Sequence, residues 1–213
     1  NGKLSITQSK NHKYKLRSIK HNLYIMKLKT TLLLLLGSIG VSQAQITAAG
    51  DIAFVGFNAD GDDDIAFVTF KSIPANTSIR FCDSEWNGTG FGTDEGNFIW
   101  TSPSTVIPAG TVISINALSA TTIAPSLGTI TLNNAGGLSA SGDAMFAFLG
   151  TSATDARQVD TMLAAISNSA SGFGVLTNSG LSAGTTAILL TEGTDIAIYN
   201  GPRIGLDING YLT

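Results

Sequence analysis

Residues 45–213 are predicted to fold as an all-β sandwich, behind a cleaved secretory leader. Three observations predict it. The segment holds 21 Gly and 37 Ser+Thr, about a third of its residues, and only 19 charged side chains. Strong helix formers in a 3.6-residue period are therefore scarce. Short apolar runs recur instead, each closed by Gly, Pro, Asn or Asp, which is the signature of strands and turns. One corner is also written twice, as Ile73-Pro74-Ala75-Asn76-Thr77 and Ile107-Pro108-Ala109-Gly110-Thr111. Pro presets φ for the first corner position, and Asn or Gly tolerates the left-handed end.

The strands follow in order. Asp51–Phe57 (DIAFVGF) and Ile65–Phe70 (IAFVTF) flank an Asp-Gly turn, a strong hairpin signal. Thr77–Cys82, Asn97–Thr101 and Thr111–Ile115 come next. Gly128–Leu132, Ala144–Leu149, Thr161–Ile166 and Thr185–Leu190 complete the set. Several are apolar on both faces, as expected of strands inside a sandwich. In Asp155–Ser167 a helical face (Val159, Met162, Leu163, Ile166) competes with a strand, and the β-rich surroundings favour the strand. Leu181-Ser182-Ala183-Gly184-Thr185 reads as a weaker third copy of the corner. Arg203–Thr213 begins a further element, as if the chain continued into a larger protein.

The first 44 residues differ in kind. They hold 8 of the 12 cations, both histidines and no acid. Lys27 and Lys29, the apolar run Thr31–Val41 and the small-x-small site Ser42-Gln43-Ala44 stand in the order of a signal peptide over 26–44. The apolar core is about half of the ~20 residues a membrane-spanning helix needs. Residues 1–25 are basic and aperiodic and read as an upstream extension; a basic arm is the alternative.

Charge and composition exclude much chemistry from residues 45–213. Four cations face 15 acids, a net charge of −11, which argues against gripping a phosphate backbone. No histidine and one cysteine, Cys82, leave no histidine triad, no His-ligated zinc and no internal disulfide. Cys82 ends a strand and reads as a small hydrophobe.

Two loops could carry function. Asn58-Ala59-Asp60-Gly61-Asp62-Asp63-Asp64 places four carboxylates in five residues, more than a hairpin needs. Asp60, Asp62, Asp63 and Asp64 either ligate Ca²⁺, which takes six to eight oxygens, or form a solvated acidic turn. The loop from Cys82 to Gly92, leading into Asp94-Glu95-Gly96, is rich in acids and aromatics. Asp83, Glu85, Trp86 and Trp100 are candidates to bind a glycan, with the aromatic faces stacking on sugar rings. The alternative is that both tryptophans cap the core. A pair of these carboxylates could also act as glycosidase acid and base. Asn76-Thr77-Ser78 and Asn87-Gly88-Thr89 match the N-glycosylation triplet, and Asp160-Thr161-Met162 weakly resembles an O-glycosylation motif of exported Bacteroidetes proteins.

The stretches GDIAFVGFNADGDDDIAFVTF, IPANTSIRFCDSEWNG, EGNFIW, IPAGTVISI, LSASGDAMFAFLGT and AIYNGPR span about Gly50 to Gly205. They resemble an N-terminal module of large secreted proteins of Bacteroidetes and cyanobacteria, among them extracellular nucleases and type IX-secreted surface proteins. The corners are more loosely similar to lamin-tail-like domains, which are Ig-like sandwiches. The family usually has Asn after the Asp of the Trp loop, whereas Ser84 and Glu85 follow Asp83 here. The resemblance implies an exported, non-catalytic module at the secreted or outer-surface location, joined to other domains of the same polypeptide. It supplies no catalytic residue. The expected function is structural or binding, adhesive or glycan-directed, with no cofactor unless the acidic turn takes calcium. Nucleic acid is not an expected partner of this module, nor is a membrane once the leader is cleaved. The rival reading makes it the accessory module of a secreted nuclease or other hydrolase whose catalytic domain lies beyond Thr213.

Expression from Met26 in a Gram-negative host is expected to give a product whose N-terminal residue, read by Edman or mass sequencing, is Gln45. A cytoplasmic product that keeps Met26 would remove the leader.

Overall fold

The computed structural model divides the chain into two compact units, Asn1–Ser42 and Gln43–Thr213. It describes residues 45–201 and 208 of the second, and His21 of the first. The expected leader over 26–44 lies outside the described residues, as does the element begun at Arg203 except for Ile208.

Eleven strands make two sheets: β1 (Ile52–Asn58), β2 (Asp64–Thr69), β3 (Ser78–Cys82), β4 (Asn97–Thr101), β5 (Val112–Asn116), β6 (Ala124–Pro125), β7 (Thr129–Asn134), β8 (Ala144–Leu149), β9 (Thr161–Ser167), β10 (Ala187–Leu189) and β11 (Ile196–Ile198). The first sheet runs β11-β1-β2-β5-β6 and the second β10-β9-β8-β3-β4-β7. The chain is an all-β sandwich. The nine expected strands are all present; β6 and β11, two and three residues long, lacked an apolar run long enough to announce them.

One core fills the space between the sheets. Ile52, Phe54 and Phe57 of β1 and Ile65 and Phe67 of β2 meet Ile79, Phe81, Phe98, Trp100 and Leu163 of the other sheet. A register shift between Phe54 and Gly56 inserts one residue into β1, so Phe54 and Phe57 both face inward although three positions apart. Phe81 is the hub: it stacks on Phe98 at 5.0 Å and 10°, and its ring lies 5.7 Å from Phe67 and 6.4 Å from Phe54.

The six-stranded sheet is buried on its outer face too. There Cys82, Phe146, Phe148, Met162 and Ala165 pack beneath Trp86, Phe173 and Leu181. The sandwich interior therefore explains only one of the two apolar faces of AMFAFL; loops cover the other. Part of that cover has a topological origin. β9 and β10 pair in parallel, which demands a crossover. Residues 168–186 make it without a helix, and bring Phe173 and Leu181 over the sheet.

The duplicated corner is a matched pair in space. Asn76 (φ 55) and Gly110 (φ 84) take the left-handed position in each copy. The two copies bond to each other through Ile73 N to Ile107 O and Ile107 N to Ile73 O, both 2.9 Å. The third copy shares the left-handed Gly184 (φ 79), and Thr185 Oγ1 donates to Ser182 O as Thr111 Oγ1 does to Pro108 O.

Gly128 (φ 81) lets Trp100 reach its partner: a Cβ there would sit 2.3 Å from Thr101 O and 2.8 Å from Trp100 Nε1. At Gly180 (φ 75) a Cβ would meet nothing within 4 Å. Both alanine substitutions carry a left-handed cost of about 1–2 kcal/mol. Gly128→Ala is expected to lose about 1–3 kcal/mol more than Gly180→Ala in chemical denaturation, from overpacking. Equal losses would show that the Trp100 contact is not tight.

Candidate functional site

Beyond β3 the chain leaves the sheet as the Trp loop, which is folded by its own polar side chains. Asn87 Oδ1 accepts from Thr89 N and Gly90 N at 3.0 Å each and from Thr89 Oγ1 at 2.9 Å. This closes residues 87–90 as an Asx turn. Trp86 Nε1 donates to Thr177 O at 2.9 Å, tying the loop to the crossover. Its ring meets Phe91 edge-on at 5.1 Å, and Phe91 rests on Phe146 and Phe148. Trp86 is thus 5 % exposed.

Trp100 lies on the opposite face of the same sheet. It is fully buried in the sandwich, edge-on to Phe67, with Nε1 donating to Leu127 O at 2.7 Å. The two tryptophans are not brought together, and neither offers an open ring face to a sugar. Both are core caps, one for each layer. Glu85 is exposed beside Trp86, whereas Asp83 is buried.

The acids of the Trp loop and of the β1–β2 turn meet at one end of the sandwich. Asp83 feels Asp143 and Glu95; Glu95 feels Asp143, Glu85 and Asp94. Asp143 in turn feels Asp63, which feels Asp60, Asp62 and Asp64. Nine of the 15 acids form one mutually repelling set. Burial first, then this repulsion, pushes Asp83 up to about 8 and Glu95 up to about 7. Burial likewise takes Asp143 to about 6, against hydrogen bonds from Ser139 N and Ala144 N. Among the described residues one cation reaches the cluster. Arg157 donates to Glu95 O and, with the Asn97 amide turned to suit, to Asn97 Oδ1 at 2.7 and 2.9 Å.

Glycines press against the buried carboxylate. A Cβ on Gly96 would lie 2.5 Å from Gly136 Cα, and one on Gly136 would lie 2.3 Å from Asp83 Oδ2. Asp83 Oδ1, Ser84 Oγ and Glu95 Oε2 are buried without a hydrogen-bond partner. The cavity that Asp83 lines measures ≈ 10 Å³, space for one water and for no substrate.

The acidic turn is divided between two tasks. Asp63 (φ 57) is buried, with Oδ2 accepting from Leu138 N at 2.9 Å. Asp64 Oδ1 accepts from Ala117 N and its Oδ2 from Asn58 Nδ2, both 3.0 Å. Asp60 and Asp62 are exposed. Two of the four candidate calcium ligands therefore clasp neighbouring loops while two face water. Among the described residues no three His, Cys, Asp or Glu side chains converge to hold a metal ion. Cys82 is free and buried, and burial pushes its thiol pKa up, as for an inert hydrophobe.

The larger concavity flanks the Trp loop. It is a cleft of ≈ 660 Å³ between Gly88–Thr89, Ala48–Ala49, Asp160–Met162 and Asn178–Gly180. A separate recess of ≈ 330 Å³ shares Trp86, Thr89 and Val159 as lining and includes Gly90, Phe91, Thr93 and Arg157. Arg80 fixes one wall: buried within β3's outer face, it donates to Asp155 O and Ser152 O at 2.6 and 2.5 Å. Sequence reasoning found the Trp loop but not the other walls. Asn178, Asp160 and Ala48 are far apart in the chain; Asn178 and Ala48 carry no motif, and Asp160 drew notice only through its weak match to a glycosylation motif. Asp143 and Arg157 were missed for the same reason, although Gly142-Asp143 before an apolar run repeats Gly50-Asp51 before β1.

No family model, no curated protein and no solved structure matches this chain. Its own geometry is what speaks for its function.

Protonation of the acid cluster sets a sign for stability. Asp83, Glu95 and Asp143 hold protons in the folded state at pH values where the unfolded chain has released them. Stability from this source is full below about pH 4 and is lost as pH rises through about 6 to 8. The unfolding midpoint is expected to fall between pH 5 and 8.5. Asp83→Asn, which fixes the neutral form, is expected to flatten that fall. A midpoint that rises with pH over this range would contradict the assignment.

Proposed function

We propose that this chain is a non-catalytic, exported β-sandwich module that binds a ligand for a larger protein at the cell surface or outside the cell. The observation that carries the reading is that the carboxyls with raised proton affinity stand apart from the cleft, Asp83 sealed and Glu95 and Asp143 half-buried. The carboxyls poised to exchange protons near neutrality, Asp83, Glu95 and Asp143, do not line the cleft or its recess. Asp83 is 4 % exposed and adjoins only the water-sized cavity. A general acid or base must come within hydrogen-bond reach of the reacting atom. The cleft instead presents hydroxyls, amides and backbone, the furniture of recognition.

Export is supported by the signal-peptide order of residues 26–44 and by an acidic, single-cysteine body. The resemblance to N-terminal modules of secreted Bacteroidetes and cyanobacterial proteins supports the same assignment. The accumulated negative charge at one end speaks against a polyphosphate partner.

The chain is expected to give no turnover of glycan, ester or DNA substrates above a buffer blank. Turnover abolished by Glu85→Gln or Asp94→Asn would overturn the non-catalytic reading.

A further inference from the structure

We propose that the cleft beside Trp86 is the binding site, and that its ligand is a neutral, hydroxyl-rich chain, a short stretch of glycan. The inference rests on the module reading above and assigns that module a place and a chemistry. The site differs from the Asp83–Glu85–Trp86–Trp100 surface expected from the sequence, since Trp100 is in the core and Asp83 is sealed.

Size comes first. A cleft of ≈ 660 Å³ beside a recess of ≈ 330 Å³ falls in the range of sites for small organic ligands. The two spaces are neighbours that share Trp86, Thr89 and Val159 as lining, so linked units on one chain could occupy both.

The lining fixes the chemistry. Ala48, Ala49, Val159 and Met162 supply apolar patches for C–H faces. Thr47, Thr89, Thr161 and Asn178 surround them with hydroxyl and amide groups, which both donate and accept, as a polyol requires. The groups are held before any ligand arrives. Asn178 Nδ2 donates to Gly88 O at 3.1 Å, which leaves its carbonyl oxygen to accept. Thr89 is fixed by Asn87 as described, and Ser179 Oγ donates to Leu176 O at 2.7 Å. Such preorganisation lowers the ordering cost of binding.

Charge disfavours an anionic ligand. Among the described residues, the only ionisable side chain lining the main cleft is Asp160, an acceptor oriented by Gln158 Nε2 at 2.5 Å. An anionic polymer would meet that carboxylate and the field of a segment carrying net −11. Arg157 and Asp155 in the recess offset each other. For a cationic ligand the main cleft offers one carboxylate, Asp160, and the ring face of Trp86 is closed, so neutral chemistry is set against chitosan in the test.

Gly90 gives a clean way to block the site. It lines the recess, and a Cβ there meets no atom within 4 Å. Thr89→Trp from an exposed loop position and Gly90→Trp from a half-buried one should fill the space. Their unfolding midpoints should stay within about 2 °C of the parent. The test is affinity electrophoresis of the full chain in gels cast with laminarin, xyloglucan or galactomannan, with alginate and chitosan as charged probes. The expected result is retardation by at least one neutral polymer, weakened at least tenfold in Gly90→Trp or Thr89→Trp and indifferent to salt. Retardation that survives both substitutions would overturn the site while leaving the module reading intact. Retention by alginate or chitosan alone would overturn the neutral chemistry. No retention by any polymer would overturn the proposal, and lost turnover controls aside, would leave the non-catalytic assignment to be judged by its own assay.

Discussion

Two-sided burial of the six-stranded sheet is the constraint on which the rest of this molecule depends. A sandwich needs each sheet apolar on one face only. Here β8 and β9 are apolar on both and β3 adds Cys82, so the outer face of Cys82, Phe146, Phe148 and Met162 must be covered by chain without regular structure. Loops of that kind have no ladder to satisfy their backbone and must bond otherwise. That need explains the wealth of Ser, Thr, Asn and Asp in the connections. It also explains why Trp86 is fastened both by its ring and by its indole N–H. The cleft is a by-product of the cover: where the Trp loop, the crossover and the 152–160 arm fail to meet, a furrow remains.

The acids serve the same end. Asp51 accepts from Thr47 N and Ala48 N, Asp63 from Leu138 N, Asp64 from Ala117 N and Asp143 from Ser139 N. Asp51, Asp63 and Asp143 stand just before a strand and Asp64 opens one, and each clasps an incoming or neighbouring loop. Each clasp is favourable alone, but nine acids gathered at one end repel one another. Burial and mutual repulsion together keep protons on Asp83 and Glu95 that isolated carboxyls would shed. The cluster thus combines local hydrogen-bonding roles with a collective electrostatic cost.

The strand pattern was legible in the sequence because apolar runs and turn residues are local signals. Ile52–Asn58, Thr161–Ser167 and the duplicated Pro-Ala corners fall where residue type alone puts them. What was not legible is pairing across distance. That Ile73 would bond Ile107 and that Asp63 would reach Leu138 follow from which strands become neighbours. The outward role of Trp86 and the inward role of Trp100 follow from the pleat and the register. Composition announced acids and aromatics together, and suggested one surface. The fold sorted them: aromatics into two layers, acids to one end, and the open concavity to a third place lined by threonines and asparagine.

The lengths of the border strands have a consequence for how copies of this domain meet. Among the described residues, three of the four sheet borders are β6, β10 and β11, each only two or three residues long, and the fourth, β7, turns Thr129, Thr131, Asn133 and Asn134 to solvent. Unpaired backbone on a long apolar border is a template on which a neighbouring copy can polymerise. Borders this brief, or this hydrophilic, give little purchase for strand exchange. Copies crowded together at high concentration would then remain separate bodies, each keeping its own furrow open to solvent.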